Sequence, residues 1–149
     1  MALKAAVWTH GTIVHIENRV ETVVRRGGGT EIRQWVGKNW FHFPITTPVV
    51  LDDVRPPLVK VFVFYKANFA RITNVDVFDG PRRVKALDVN LSGDHSAGID
   101  GSNSWVINPP LGIQFGLGLS VGVEPTNDPD KPGVPEIIFT TAGADFQKP

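Results

Sequence analysis

No cysteine occurs among the 149 residues, which excludes disulfide staples, thiolate metal sites and a cysteine nucleophile together. Net charge is missing as well: fifteen Lys and Arg balance fifteen Asp and Glu, and the sequence pI is about 6.9. A nucleic-acid binder neutralises phosphates and carries a basic excess on some element. Here the longest basic runs are the pairs Arg25-Arg26 and Arg82-Arg83. No apolar run approaches the roughly 18 residues of a membrane span. The start, Met1-Ala-Leu-Lys-Ala-Ala-Val-Trp8, lacks the basic and then apolar regions of a secretory signal. The expectation is a soluble, leaderless, cytoplasmic protein with neither nucleic acid nor membrane as partner. Helical spacing is absent too, since no window repeats apolar residues at the helical period between capping residues.

What the sequence does have is alternation. Over 111–123, Leu111, Ile113, Phe115, Leu117, Leu119, Val121 and Val123 alternate with Gly112, Gln114, Gly116, Gly118, Ser120 and Gly122. Read as one strand, this segment has an apolar face and a nearly bare one. Glycine weakens a strand, so the bare side implies a bulky cover, from a facing element or from a second copy of the chain. Residues 58–65 are apolar on both faces apart from Lys60, the pattern of a central strand covered on both sides. Residues 71–78 and 82–91 flank Asp79-Gly80-Pro81, a hairpin whose Pro81 should shift the turn away from the simple two-residue type. Further strands are predicted at 5–8, 12–17, 20–25, 39–45, 104–107 and 136–141. Loops rich in Gly and Pro separate them, the longest at 124–135. Short strands with no helices between them predict an all-β fold: an antiparallel β-sandwich, jelly-roll-like, of about nine to eleven strands, forming one domain over 1–149.

Residues that carry chemistry are few. His10, His15, His42 and His95 are the only histidines. His10, His15, His42 and Glu17 are the set a metal-dependent, cupin-like enzyme would use, but His10 and His15 are five apart and face opposite sides of an uninterrupted strand. Metal candidates are His10, His15, Asp94 and Asp100. In the loop around Asp94-His95 and Asp100, a His beside carboxylates suits a general base or a ligand contact. The ordinary alternative is a polar turn in which Asp94 bonds its own backbone. Asp76, Asp79, Asp94, Asp100, Asn127, Asp128 and Asp130 make the loops rich in oxygen, which suits calcium, although no EF-hand spacing is present and no cofactor is expected. Gly27-Gly28-Gly29-Thr30 lacks the Lys and the following helix of a phosphate loop. In Trp40-Phe-His-Phe-Pro44, strand geometry puts Trp40 and His42 on one face and Phe41 and Phe43 on the other. Trp40, His42, Asp94, His95 and Asp100 are the expected ligand contacts, through stacking and hydrogen bonding.

Trp8-Thr-His10-Gly11, Trp40-Phe-His-Phe-Pro-Ile45 with Thr47-Pro48, Val77-Phe-Asp79-Gly80, Gly93-Asp94-His95 and Gly143-Ala-Asp-Phe146 together resemble a family of small bacterial all-β proteins catalogued as a domain of unknown function. That resemblance implies one self-contained β domain and supplies no site. In general layout the chain is also similar to the small trimeric lectins of the H type, whose sandwiches associate through strand faces. The functional expectation is a non-enzymatic binding or assembly module, a homo-oligomer with carbohydrate or protein as ligand. The alternatives are the cupin-like enzyme and a structural component of a larger particle, such as a phage-like tail or spike.

Overall fold

A computed structural model describes residues 2–127 and 129–148. Among them are ten strands: β1 (Leu3–His10), β2 (His15–Ile16), β3 (Thr22–Arg26), β4 (Gly29–Arg33), β5 (Asn39–Ile45), β6 (Leu58–Asp79), β7 (Arg82–His95), β8 (Ser104–Leu111), β9 (Leu117–Pro125) and β10 (Glu136–Gln147). A single 3-10 turn, Gly11–Ile13, joins β1 to β2, and the described residues contain no α-helix. Every pairing is antiparallel.

β6 organises the rest. It runs for 22 residues and merges two strands that the sequence suggests separately. From Val61 on, its core-facing apolar side chains are Val61, Val63, Tyr65 and Ala67, then Ala70 and Ile72, then Val75 and Val77. The parity of the inward positions therefore switches twice, and it does so where the pairing register shifts, between Ala67 and Ile72 and between Ile72 and Asn74. An extra residue in a strand moves every later side chain to the other face, so each shift is a bulge that keeps the apolar set inside while the strand bends. Phe69 sits in the bend at φ 52. Before the bend β6 pairs with β10, β8 and the last residues of β7, and after it with β9 and the rest of β7. One curled sheet thus becomes two facing halves. One half holds β3, β4, β1, β10, β8, the start of β6 and the end of β7; the other holds β2, β5, β9, most of β7 and the end of β6. Phe41 and Phe43 of β5 meet Phe139 of β10 across the core, with ring centroids 5.4 and 5.1 Å apart. This is a β-sandwich.

Three expectations need correction. The alternation over 111–123 is not one strand: Leu111 ends β8, 112–116 form a loop, and β9 starts at Leu117. The reason is Asp79, whose carboxylate accepts hydrogen bonds from the amides of Gln114 at 3.0 Å and Phe115 at 2.8 Å. Those amides serve a side chain and leave the ladder. The β6–β7 turn also has only two residues, because Asp79 pairs with Arg82. Gly80 takes φ +56, and the fixed φ of Pro81, near −65°, suits the second turn position, so the pair fits a primed hairpin turn with glycine first. Finally, β4 lies in a stretch from which the sequence predicts no strand. Its buried Thr30 and Ile32 alternate with Glu31 and Arg33, too short a run beside three glycines to stand out.

Candidate functional site

Directly opposed residues of an antiparallel ladder point to the same face, so the register maps the outer side of the half containing β5, β9 and the end of β6. Three rows cross it. Trp40 lies opposite Gly122 and Gly122 opposite Asn74; His42 opposite Ser120 and Ser120 opposite Asp76; Pro44 opposite Gly118 and Gly118 opposite Phe78. On the edge strand β2, His15 pairs with His42. Phe41 and Phe43 point inward and are buried, so the two-residue period separates the four side chains as the sequence predicts. Because Gly118 has no side chain, the surface dips between Pro44 and Phe78. The dip opens into a groove of about 530 Å³ lined by Glu17, His42, Pro44, Phe78, Gly118 and Ser120 among others. Phe115, 77% exposed, stands over Gly80 at one end.

A polar chain runs beside the groove. The Ser120 hydroxyl is hydrogen-bonded to His42 Nδ1 at 2.7 Å, and His42 Nε2 to Glu17 Oε1 at 3.1 Å. Hydroxyl, imidazole and carboxylate in this order are the parts of an activated nucleophile. Acyl transfer also needs donors aimed at the developing oxyanion. The backbone around Ser120 is paired on both sides, with β5 and with β6, so the strand holds these polar atoms in place. Next to Ser120 lies Asp76, buried, with Oδ2 3.6 Å from Arg83 and Oδ1 without a hydrogen-bond partner among the described residues. Burial raises its pKa, and the Arg83 guanidinium offsets only part of that rise.

Trp40 does something other than line the groove. Its ring lies against Gly122, where an added Cβ would come within 3.2 Å of it, and Lys38 Nζ stands 4.6 Å over the ring. The bulky cover that the glycine side implied is found at Gly122 alone, under Trp40 and Lys38; a Cβ added at Gly118 would lie 3.8 Å from the Cβ of Phe78, and one added at Gly112 or Gly116 would meet nothing within 4 Å.

The Asp94, His95 and Asp100 group is elsewhere, at the end of β7 against Tyr65 of β6. His95 Nδ1 bonds Asp100 Oδ2 at 2.8 Å and its Nε2 bonds the Ser92 carbonyl at 3.0 Å. Asp94 Oδ1 accepts from the amide and hydroxyl of Ser96, while the Asn103 amide donates to the carbonyls of His95 and Gly98. The His95 hydrogen bond holds the Asp100 pKa below the usual range, and the Ser96 hydroxyl does so for Asp94. These groups satisfy one another, which is the polar-turn arrangement.

Metal candidates are dispersed. Among the described residues no group of three or more His, Asp or Glu side chains is placed to hold an ion. His10 Nδ1 is engaged by Thr12 at the end of β1, whereas His15 lies on β2 in the other half. Asp94 and Asp100 belong to the turn. Of the cupin-like set, only His42 and Glu17 are bonded to each other. Of the oxygen-rich loop residues, Asp79 is committed to backbone amides, and Asp128 lies outside the described residues. Ser120, Pro44 and Phe78 escape a reading of the sequence as site residues. The one signal for Ser120 is that it stands between Gly118 and Gly122 on the glycine side of β9.

Residues 2–140 match a family described as "Family of unknown function (DUF6623)". No curated protein matches the sequence. Among solved structures, the fold is similar to TmCBM61, determined in complex with β-1,4-galactotriose, at 14% identity and a TM-score of 0.51, covering 91% of this chain and 86% of that one. It is also similar to the xylan-binding module CBM15, at 11% identity and a TM-score of 0.47, covering 100% and 96%.

Proposed function

The chain belongs to the DUF6623 family of unknown function, and from that premise we propose that it is a non-enzymatic binding domain that takes a saccharide in the groove across β6, β9 and β5. One observation carries this reading: two apolar walls, Phe78 and Pro44, stand apart over Gly118 with the fixed chain Ser120–His42–Glu17 alongside. A pyranose ring has an apolar C–H face and a rim of hydroxyls. It needs flat apolar contact and orienting hydrogen bonds together, in a site formed before the ligand arrives. The likeness to TmCBM61, solved with a β-1,4-galactotriose, supports neutral oligosaccharides as the first ligands to test. Of the expected contacts, His42 is assigned to the groove and Trp40 to bracing its floor. Asp94, His95 and Asp100 are assigned to a separate turn. Self-association, the second part of this reading, draws no support from Gly122, whose cover is Trp40 and Lys38 of the same chain. Light scattering at micromolar protein reads the mass directly against 16.3 kDa for one chain.

Calorimetric titration with β-1,4-galactotriose and other neutral trisaccharides is the test. Binding is expected for the native chain, and Phe78→Ala and His42→Ala are each expected to weaken it about tenfold, near 1.4 kcal/mol. Absence of heat with every trisaccharide at millimolar concentration would refute the reading, as would binding that both variants leave unchanged.

A further inference from the structure

We infer that the opposite side of the sandwich carries a second saccharide surface, centred on Trp8, so that one chain holds two saccharide strands. The inference rests on the saccharide reading above for its class of ligand, but its residues are separate. On the outer side of the other half, Trp8 lies opposite Gly143, Gly143 opposite Phe62, and Phe62 opposite Ser104. The neighbouring row is Ala6, Asp145, Lys60 and Val106. The missing side chain at Gly143 lets the indole lie on the strand: a Cβ there would come within 2.6 Å of the Trp8 ring. Trp8 leans onto Phe62, with centroids 4.7 Å apart and planes 33° apart, and meets Phe64 edge-on at 5.5 Å. Covering a strand glycine with an aromatic ring is a structural device in its own right. It buries Phe62, yet Trp8 itself remains 43% exposed.

The flanking groups decide what the ring is for. Asp145 makes no hydrogen bond or ion pair among the described residues, and burial keeps its pKa above the usual range despite the attraction of Lys60. Lys60 Nζ stands 5.2 Å over the Phe62 ring. A cationic ligand would meet an ammonium already on the aromatic face, and an anionic one would meet Asp145. A broad apolar protein surface would have to bury both charges. A neutral ring with one apolar face and a hydroxyl rim suits all of these groups: it stacks on Trp8, donates to Asp145 and accepts from Lys60.

The test counts sites and cross-links. The native chain is expected to bind two molecules of β-1,4-galactotriose and to precipitate soluble β-1,4-galactan at intermediate ratios. Trp8→Ala is expected to bind one and to precipitate nothing. Asp145→Asn, which leaves the aromatic packing intact, is expected to weaken the second site at least fivefold while the groove site is unchanged. A single site that Phe78→Ala removes and Trp8→Ala leaves alone would overturn the inference and spare the groove. Two sites insensitive to both Trp8→Ala and Asp145→Asn would overturn it as well, as would a dimer that dissociates on Trp8→Ala. No binding at all would refute both readings.

Discussion

At Asp79 a carboxylate is held by backbone donors: burial resists its ionisation, but the amides of Phe115, Gln114 and Gly116 outweigh that and leave the pKa below the usual range. A folded value below the unfolded one means stabilisation that is full at neutral pH and lost as pH falls through the folded value. Asp79→Asn is expected to cost about 2 kcal/mol in urea unfolding at neutral pH, the scale of charge-assisted hydrogen bonds to a buried group, with the gap narrowing as pH falls through the folded value. Asp76 has the opposite sign. Its raised value means that its contribution is present in acid and lost as pH rises through the folded value. Asp76→Asn is therefore expected to raise the unfolding midpoint at neutral pH and to leave it unchanged in acid. An increase with Asp79→Asn, or a loss at neutral pH with Asp76→Asn, would contradict the assignment. At this scale the sequence is legible where one strand decides the matter. Trp40 and His42 share a face because 39–45 is an unbroken strand. The pairing of His42 with Ser120, and of Trp8 with Gly143, depends on register between segments far apart in the chain.

Among the elements, the alternating segments of the sequence are real but their limits mislead in both directions. Two segments are one strand in β6, because bulges reverse the parity of its inward residues. One segment is two strands at 111–123, because Asp79 draws the intervening amides away. β10 shows the same economy. It pairs with β4 up to Phe139 and with β1 from Thr141, and the register shift between them is packed by Gly11. A Cβ on Gly11 would sit 2.0 Å from the Phe139 carbonyl oxygen, and backbone cannot rotate away as a side chain can. The buried Thr30 hydroxyl donates to the Gly11 carbonyl at 2.8 Å, and Arg25 donates to the carbonyls of Thr12 and Val14. Gly11→Ala is expected to cost about 3 kcal/mol or more, at or beyond the upper end of overpacking effects. Gly98→Ala, with nothing within 4 Å, is expected to change stability by less than about 0.5 kcal/mol. Equal effects of the two substitutions would show that the junction is looser than described.

The molecule as a whole presents two outer faces, each with glycine set among aromatic and polar side chains: Gly118 between Pro44 and Phe78 on one, Gly143 between Trp8 and Phe62 on the other. Composition and alternation convey the sandwich, since nothing in the chain competes with the two-residue period. They do not convey the faces, which exist only after the bend in β6 decides which strands lie side by side. The central claim is that the groove face takes a saccharide, and amide chemical-shift mapping of the isotopically labelled chain during titration with neutral trisaccharides tests it most directly. The account predicts saturable shifts at Gly118 and Ser120 and at the amides of His42 and Phe78; a titration that reaches saturation with those amides unmoved, or with shifts confined to the turn holding Asp94, His95 and Asp100, would contradict it.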